Sequence, residues 1–107
     1  MSKFETLEKL VAEIAARKVA SPDLSYTAKL LSQGVEKCAK KFGEEAFELA
    51  LAAVLKNKTN TAQEAADVLY HLLVLLQSAD VSVDEVMAVL KSREGTSGIV
   101  EKASRRG

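Results

Sequence analysis

The chain of 107 residues has no tryptophan, one cysteine, one proline, one histidine and no net charge at pH 7. A single thiol, Cys38, excludes an intrachain disulfide and a cysteine-based zinc cage. It reads instead as a small buried hydrophobe. Fifteen basic residues balance fifteen acidic ones, so charge alone gives no attraction to nucleic acid or to an anionic membrane. Long apolar runs are missing too. The longest, Val68 to Leu76, is nine residues and contains Tyr70 and His71, against about 20 for a membrane span. The N-terminus carries Glu5, Glu8 and Glu13 among its apolar residues, unlike a signal or transit peptide. The expectation is a soluble protein of the reducing cytoplasm. Pro22 stands alone, and three of the five glycines follow residue 94, so few helix breakers interrupt the rest.

What is present has helical spacing. Hydrophobic residues make up 48% and charged residues 28%, a globular balance for one domain over residues 1–107. Phe4, Leu7, Leu10, Val11 and Ile14 mark a first helix that stops near Arg17 and Lys18. Ser21-Pro22-Asp23 breaks the chain. Ser25 is placed to N-cap a short helix from Tyr26 to Gln33, with Gly34 ending it. A long helix from about Val35 to Lys56 follows. Gly43 inside it costs roughly 1 kcal/mol relative to alanine. It marks either a close approach by another group or a tolerated glycine. Tyr26 and Phe42 read as core.

Asn57 to Thr61 reads as a polar turn, and Thr61 with Glu64 has capping-box spacing for a helix reaching Ser78. The second half of that helix is apolar on nearly every side, which puts it at the centre of the fold. After a turn at Ala79-Asp80-Val81, Ser82 with Glu85 forms another capping box. The last helix has an apolar stripe of Val86, Val89 and Leu90. From Gly95 a polar tail reads as flexible. The fold class is therefore all-α, a small bundle of four to five helices.

Two acidic groups stand out. The long helix carries Glu44, Glu45 and Glu48, and the central helix carries Glu64 and Asp67. Residues three or four apart share a helix face. Solvated surface acids are the ordinary reading, and Glu64 has the cap as its own alternative. Yet apolar residues flank both groups, and carboxylates gathered near a core repel unless a cation lies between them. All-oxygen ligands suit Mg2+, with Mn2+ as the alternative. A di-iron bundle needs Glu-x-x-His on each of two helices. The only histidine, His71, lies four residues after Asp67, so that reading fails.

Lys37, Lys41, Glu45 and Glu48 step by four, four and three along one stripe. They are either ordinary Lys–Glu pairs, worth a few tenths of a kcal/mol, or a phosphate-binding edge beside a metal. Lys29, with Ser25 and Tyr26, offers a third cation. His71 shares the face of Glu64 and Asp67 and reads either as core or as site.

Glu-Glu-x-x-Glu, followed after fifteen residues by Glu-x-x-Asp, resembles the MazG-like all-α nucleoside triphosphate pyrophosphatases. Longer strings narrow the likeness. Ser25-Tyr26-Thr27-Ala28-Lys29-Leu30, Lys41-Phe42-Gly43-Glu44-Glu45, Glu64 through Leu73 and Ser97 through Arg105 together resemble the phosphoribosyl-ATP pyrophosphatase family. The likeness covers nearly the whole chain. It implies hydrolysis of phosphoribosyl-ATP to phosphoribosyl-AMP and pyrophosphate, the second step of histidine biosynthesis. It implies Mg2+ at Glu44, Glu45, Glu48, Glu64 and Asp67, with the first three as the catalytic group. It also implies substrate contacts from Ser25, Tyr26, Lys29, Lys37, Lys41, His71, Arg93, Ser97, Lys102 and Arg105. A homodimer or larger homo-oligomer is expected, with the site near the subunit interface. The rival readings are a housekeeping nucleoside triphosphate pyrophosphatase and a non-enzymatic helical interaction module.

Overall fold

Capping side chains punctuate the chain. The computed structural model describes residues 2–95 together with Lys102 and Arg105. Five helices follow one another: α1 (Glu5–Arg17), α2 (Tyr26–Ser32), α3 (Val35–Val54), α4 (Lys58–Ser78) and α5 (Val83–Ser92). No strand occurs among the described residues, and no helix among them is long and apolar enough to cross a membrane. The expected all-α bundle is what the chain forms. Ser25 caps α2 by accepting a hydrogen bond from the Ala28 amide, and Ser82 with Glu85 closes a full capping box on α5. Gly34, at φ +89°, occupies the left-handed turn between α2 and α3.

Helix ends differ from expectation in two places. Asn57, not Thr61, caps α4: its side chain accepts from the Asn60 amide at 3.0 Å. Thr61 lies inside the first turn and donates its hydroxyl to the Asn57 carbonyl at 2.7 Å. The Thr61–Glu64 capping box is therefore absent, and the Glu64 carboxylate is released for another role. Helix α3 stops at Val54 because the chain then turns left-handed at Lys56, φ 60°. The Lys56 amide donates to the Ala53 carbonyl and the Asn57 amide to the Ala52 carbonyl, the paired bonds of a Schellman ending. Helix α4 ends the same way through Asp80, φ 59°.

Helices α3 and α4 form the main hairpin, and α1 and α2 pack against α4. The core gathers Ile14, Leu30, Cys38, Leu73 and Val74, so all four of these helices meet in it. Cys38 is buried and donates its thiol to the Leu30 carbonyl at 3.3 Å. Helix α4 is central, as its apolar second half implies.

Several apolar residues expected inside are not. Phe4 is the exposed residue before α1, with the Lys3 ammonium 5.6 Å from its ring centroid. Tyr26 is 55% exposed and Phe42 is half-buried. Helix α5 has no buried residue, and Val89 and Leu90 of its stripe face outward. A Cβ built on Gly43 would meet nothing within 4 Å. No other backbone of the described chain therefore approaches Gly43 closely.

Candidate active site

The α3–α4 hairpin brings three carboxylates together across the helix pair. One ligand oxygen from each of Glu45, Glu48 and Glu64 lies within 4.8 Å of the other two. Glu48 is exposed, whereas Glu45 and Glu64 are half-buried. The early start of α4 at Asn57 frees Glu64 from capping and lets it face α3. Oε2 of Glu64 is closed off from solvent and receives no hydrogen bond from any described donor.

Electrostatics reflect this crowding. The Glu45 carboxyl is pushed above its ordinary value, first by burial, then by the charges of Glu48, Asp67 and Glu64. Burial likewise raises Glu64, followed by Glu48 and Asp67. Asp67 is exposed and completes the acidic field from the next turn of α4. Glu44 is directed elsewhere. Its Oε2 lies 3.4 Å from the Lys41 ammonium, which holds that lysine beside the cluster. Glu44 raises the Lys41 pKa, with smaller help from the Tyr26 phenol.

A hard cation fits the donor set. An octahedral Mg2+ with bonds of about 2.1 Å keeps its ligand oxygens within roughly 4.2 Å of one another. The three oxygens reach that spacing by sub-ångström side-chain movement. A buried carboxylate oxygen with no donor is the observation that favours a cation over mere surface acidity. Asp67 adds its charge to the field around Glu45 and Glu64, and Glu44 is engaged by Lys41.

His71 is 7% exposed, with its Nδ1 buried and without a hydrogen-bond partner. Burial lowers its pKa, reinforced by Lys41 and opposed by Asp67 and Glu44. The ring of Tyr70 stands edge-on to it, 5.0 Å between centroids. Thr27 and Tyr70 share a hydroxyl hydrogen bond that ties α2 to α4. Neither of these two residues was singled out from the sequence, although a tyrosine in so apolar a stretch needs a hydroxyl partner.

The remaining expected residues are spread around this centre. Ser25 caps α2, Tyr26 reaches toward Lys41, and Lys29 and Lys37 are exposed on α2 and α3. Arg93 is the half-buried C-cap of α5. Ser97 and most of the tail lie outside the described residues. Lys102 and Arg105 have helical backbone and are exposed.

The family model for phosphoribosyl-ATP pyrophosphohydrolase matches residues 7–94, which include all five acids. The chain belongs to the phosphoribosyl-ATP pyrophosphohydrolase family. It is similar to proteins named phosphoribosyl-ATP pyrophosphatase from several bacteria. The relative from Cereibacter sphaeroides is 63% identical over 99 residues, 92% of this chain and 96% of its own length. That from Dinoroseobacter shibae is 61% identical, covering 95% of this chain and 100% of the relative. That from Ruegeria pomeroyi is 56% identical, covering 92% and 94%. Phosphoribosyl-ATP pyrophosphohydrolases are hydrolases of a phosphoric anhydride, so family membership makes this chain an enzyme and removes the non-enzymatic reading. The matched span includes the carboxylate cluster, Lys41 and His71.

Proposed function

We propose that the chain hydrolyses phosphoribosyl-ATP to phosphoribosyl-AMP and pyrophosphate at the α3–α4 carboxylate cluster, with Mg2+ as its metal and Mn2+ able to replace it. The observation that carries the reading is the convergence of Glu45, Glu48 and Glu64 on one point, with a Glu64 oxygen buried and lacking a donor. These three, with Asp67, would hold the metal. Glu44 has two parts to play, as a further ligand or as the anchor of Lys41. Bound Mg2+ supplies neutralising charge for the triphosphate and a coordinated water of lowered pKa.

The chain's own groups do the rest. A carboxylate of the Glu44, Glu45 and Glu48 group accepts the proton of the attacking water. Lys41 presents its ammonium to phosphate oxygens and stabilises charge on the departing pyrophosphate; Lys37 extends the same edge. His71, whose pKa burial lowers, adds no positive charge at neutral pH. Water attacks directly, since no serine or cysteine has a histidine base at a nucleophile's spacing.

In this reading the enzyme serves the second step of histidine biosynthesis in the cytoplasm and works as a homodimer or larger homo-oligomer. Exposed apolar residues on α3 and α5 support the assembly. The decisive assay offers phosphoribosyl-ATP, ATP and dUTP with and without Mg2+ and separates pyrophosphate from orthophosphate. Mg2+-dependent pyrophosphate from phosphoribosyl-ATP alone is expected. Pyrophosphate mainly from free triphosphates would move the enzyme to the housekeeping branch.

A further inference from the structure

We propose that α5 is an exchanged arm, which lies antiparallel on the α3 stripe of a second copy and carries Lys91 to that copy's carboxylate cluster. This rests on the cluster being the catalytic site, as proposed above. It goes beyond that reading by saying which surfaces meet and what the second copy adds. The chain itself leaves α5 uncovered. None of its residues is buried, and Val83, at its start, is its one residue packed against the buried core. Close helix packing is confined to α1, α2, α3 and α4. A helix of ten residues is marginal in water without packing, so α5 needs a surface from elsewhere. Met87 and Leu90, three residues apart on one face, are exposed. Phe47, Leu51 and Val54 form a second exposed stripe, on α3.

Charge fixes the pairing and its direction. Asp84 near the start of α5 and Lys91 near its end are exposed, and neither forms an ion pair with any described residue. They are seven residues apart, which sets them on one face about 10 Å apart along the axis. On α3, Glu48 is exposed beside the stripe, and Lys56 and Lys58 are exposed at the turn that follows. Glu48 and Lys56 are eight residues apart, about 12 Å at the same rise. Laid antiparallel, α5 sets Lys91 at Glu48 and Asp84 at the lysines of the turn. Laid parallel, it sets Asp84 against the acids. Two α3 stripes laid on each other would bring both acidic clusters to one interface, like charge against like. Under a two-fold axis each copy gives its α5 and receives one. Lys41 already holds Glu44, which leaves Glu48, the exposed member of the trio, for Lys91. Lys91 is a positioning residue that fixes the Glu48 carboxylate beside the two half-buried acids.

Two measurements on the full chain test this. The first oxidises Leu51→Cys, Met87→Cys and the double variant and separates the products on a non-reducing gel. Wild type is the control for Cys38, which is buried, and circular dichroism checks that the helices remain. A covalent dimer is expected from the double variant and from neither single one. A dimer from either single variant means that like helices meet, and overturns the exchange. A double variant that stays monomeric, with or without a bond inside one chain, overturns it too. The second mixes Lys91→Ala with Asp67→Asn after joint unfolding and refolding. Each alone is expected to lose at least tenfold in activity, with Lys91→Arg retaining most of it. A hybrid dimer has one site with both an intact Asp67 and the other copy's Lys91, so mixing should recover about a quarter of wild-type activity. Full activity in Lys91→Ala, or no recovery on mixing, overturns the role of Lys91. The covalent dimer is read without substrate, so a wild type that leaves phosphoribosyl-ATP intact would overturn the proposed function and not the exchange.

Discussion

The hydroxyls of Thr27 and Tyr70 meet at 2.5 Å, joining α2 to α4 across 43 residues of sequence. Helix α2 has seven residues, too few to be stable alone in water. Its position relative to the acidic helix depends on this bond and on Ala28 and Leu30, which are buried. Tyr70→Phe leaves the Thr27 hydroxyl with a lost partner in a part-buried place. The expected cost is about 1 kcal/mol of stability, read from denaturant unfolding. Because Tyr26 and Lys29 ride on α2, KM for phosphoribosyl-ATP should rise several-fold while kcat changes less. An equal loss in both constants would contradict this positioning role.

Glu64→Gln separates a metal site from a structural cluster. Without divalent metal, Glu64 is held above its ordinary value of 4.5 by burial and by Glu48 and Asp67. A carboxyl raised in the folded state destabilises it fully above the folded pKa. That penalty fades as pH falls from the folded pKa to 4.5 and is gone below it. Glu64→Gln should therefore melt a few degrees higher than wild type at neutral pH in EDTA, and the gap should close near pH 4. His71, lowered from 6.5, contributes the opposite slope, losing stability as pH falls below that value. It does so in both proteins and largely cancels in the difference. Added Mg2+ should stabilise wild type and scarcely affect Glu64→Gln.

Legibility in the sequence followed the uniqueness of each local signal. Ser25 and the Ser82–Glu85 pair were readable because each has a single geometric consequence, a filled helix N-terminus. The start of α4 was ambiguous, because Asn57–Asn60 and Thr61–Glu64 share the same three-residue step. Asn57 wins by capping one turn earlier, and that choice frees Glu64. The end of α4 at Ser78 was legible, whereas that of α3 was set two residues late because Lys56, not a glycine, takes the left-handed position. Periodicity identified the acidic faces. It did not separate Glu44 from Glu45, which differ by one residue and about 100° of helix rotation. Lys41, three residues before Glu44, draws that carboxylate aside. The outward apolar residues were misread because periodicity marks what needs covering, not which chain covers it.

Lys56 offers a stability test away from the site. A side chain in the left-handed region costs roughly 1–2 kcal/mol relative to the right-handed one. Glycine removes that strain but gains freedom in the unfolded chain, which offsets part of the benefit. Lys56→Gly is expected to stabilise by about 0.5–1 kcal/mol net, a rise of roughly 2–6 °C in Tm. Asp80→Gly should gain less, because aspartate tolerates this region better than lysine does. Calorimetry at neutral pH reads both.

Loss of single acids should divide along the geometry. Glu48→Ala and Asp67→Asn are expected to lower Mg2+-dependent kcat on the order of 100-fold or more without lowering metal-free Tm. Glu44→Gln releases Lys41 and should weaken activity by a smaller factor. If Glu44→Gln proved the most damaging of the three, Glu44 would be a direct participant and not the anchor of Lys41. Steady-state rates over a Mg2+ titration distinguish lost metal affinity from lost chemistry.

The outward face of α3 predicts the assembly. Phe47, Leu51, Val54 and Leu55 follow helical spacing on one stripe, and Phe47 and Val54 are 69% and 75% exposed. Met87, Val89 and Leu90 add apolar surface on α5, a helix with no buried residue of its own. Large exposed apolar patches mark interaction surfaces. A stable association buries about 800 Å2 on each partner, and the exposed apolar residues of α3 and α5 are candidates for that surface. The chain is expected to run as a dimer or larger at micromolar concentration by light scattering. Leu51→Asp combined with Val54→Asp should give monomers with a lower Tm. Phe47 immediately precedes Glu48, so the monomers should also lose most of their activity. A wild-type monomer that is fully active would remove the second copy from the account of this site.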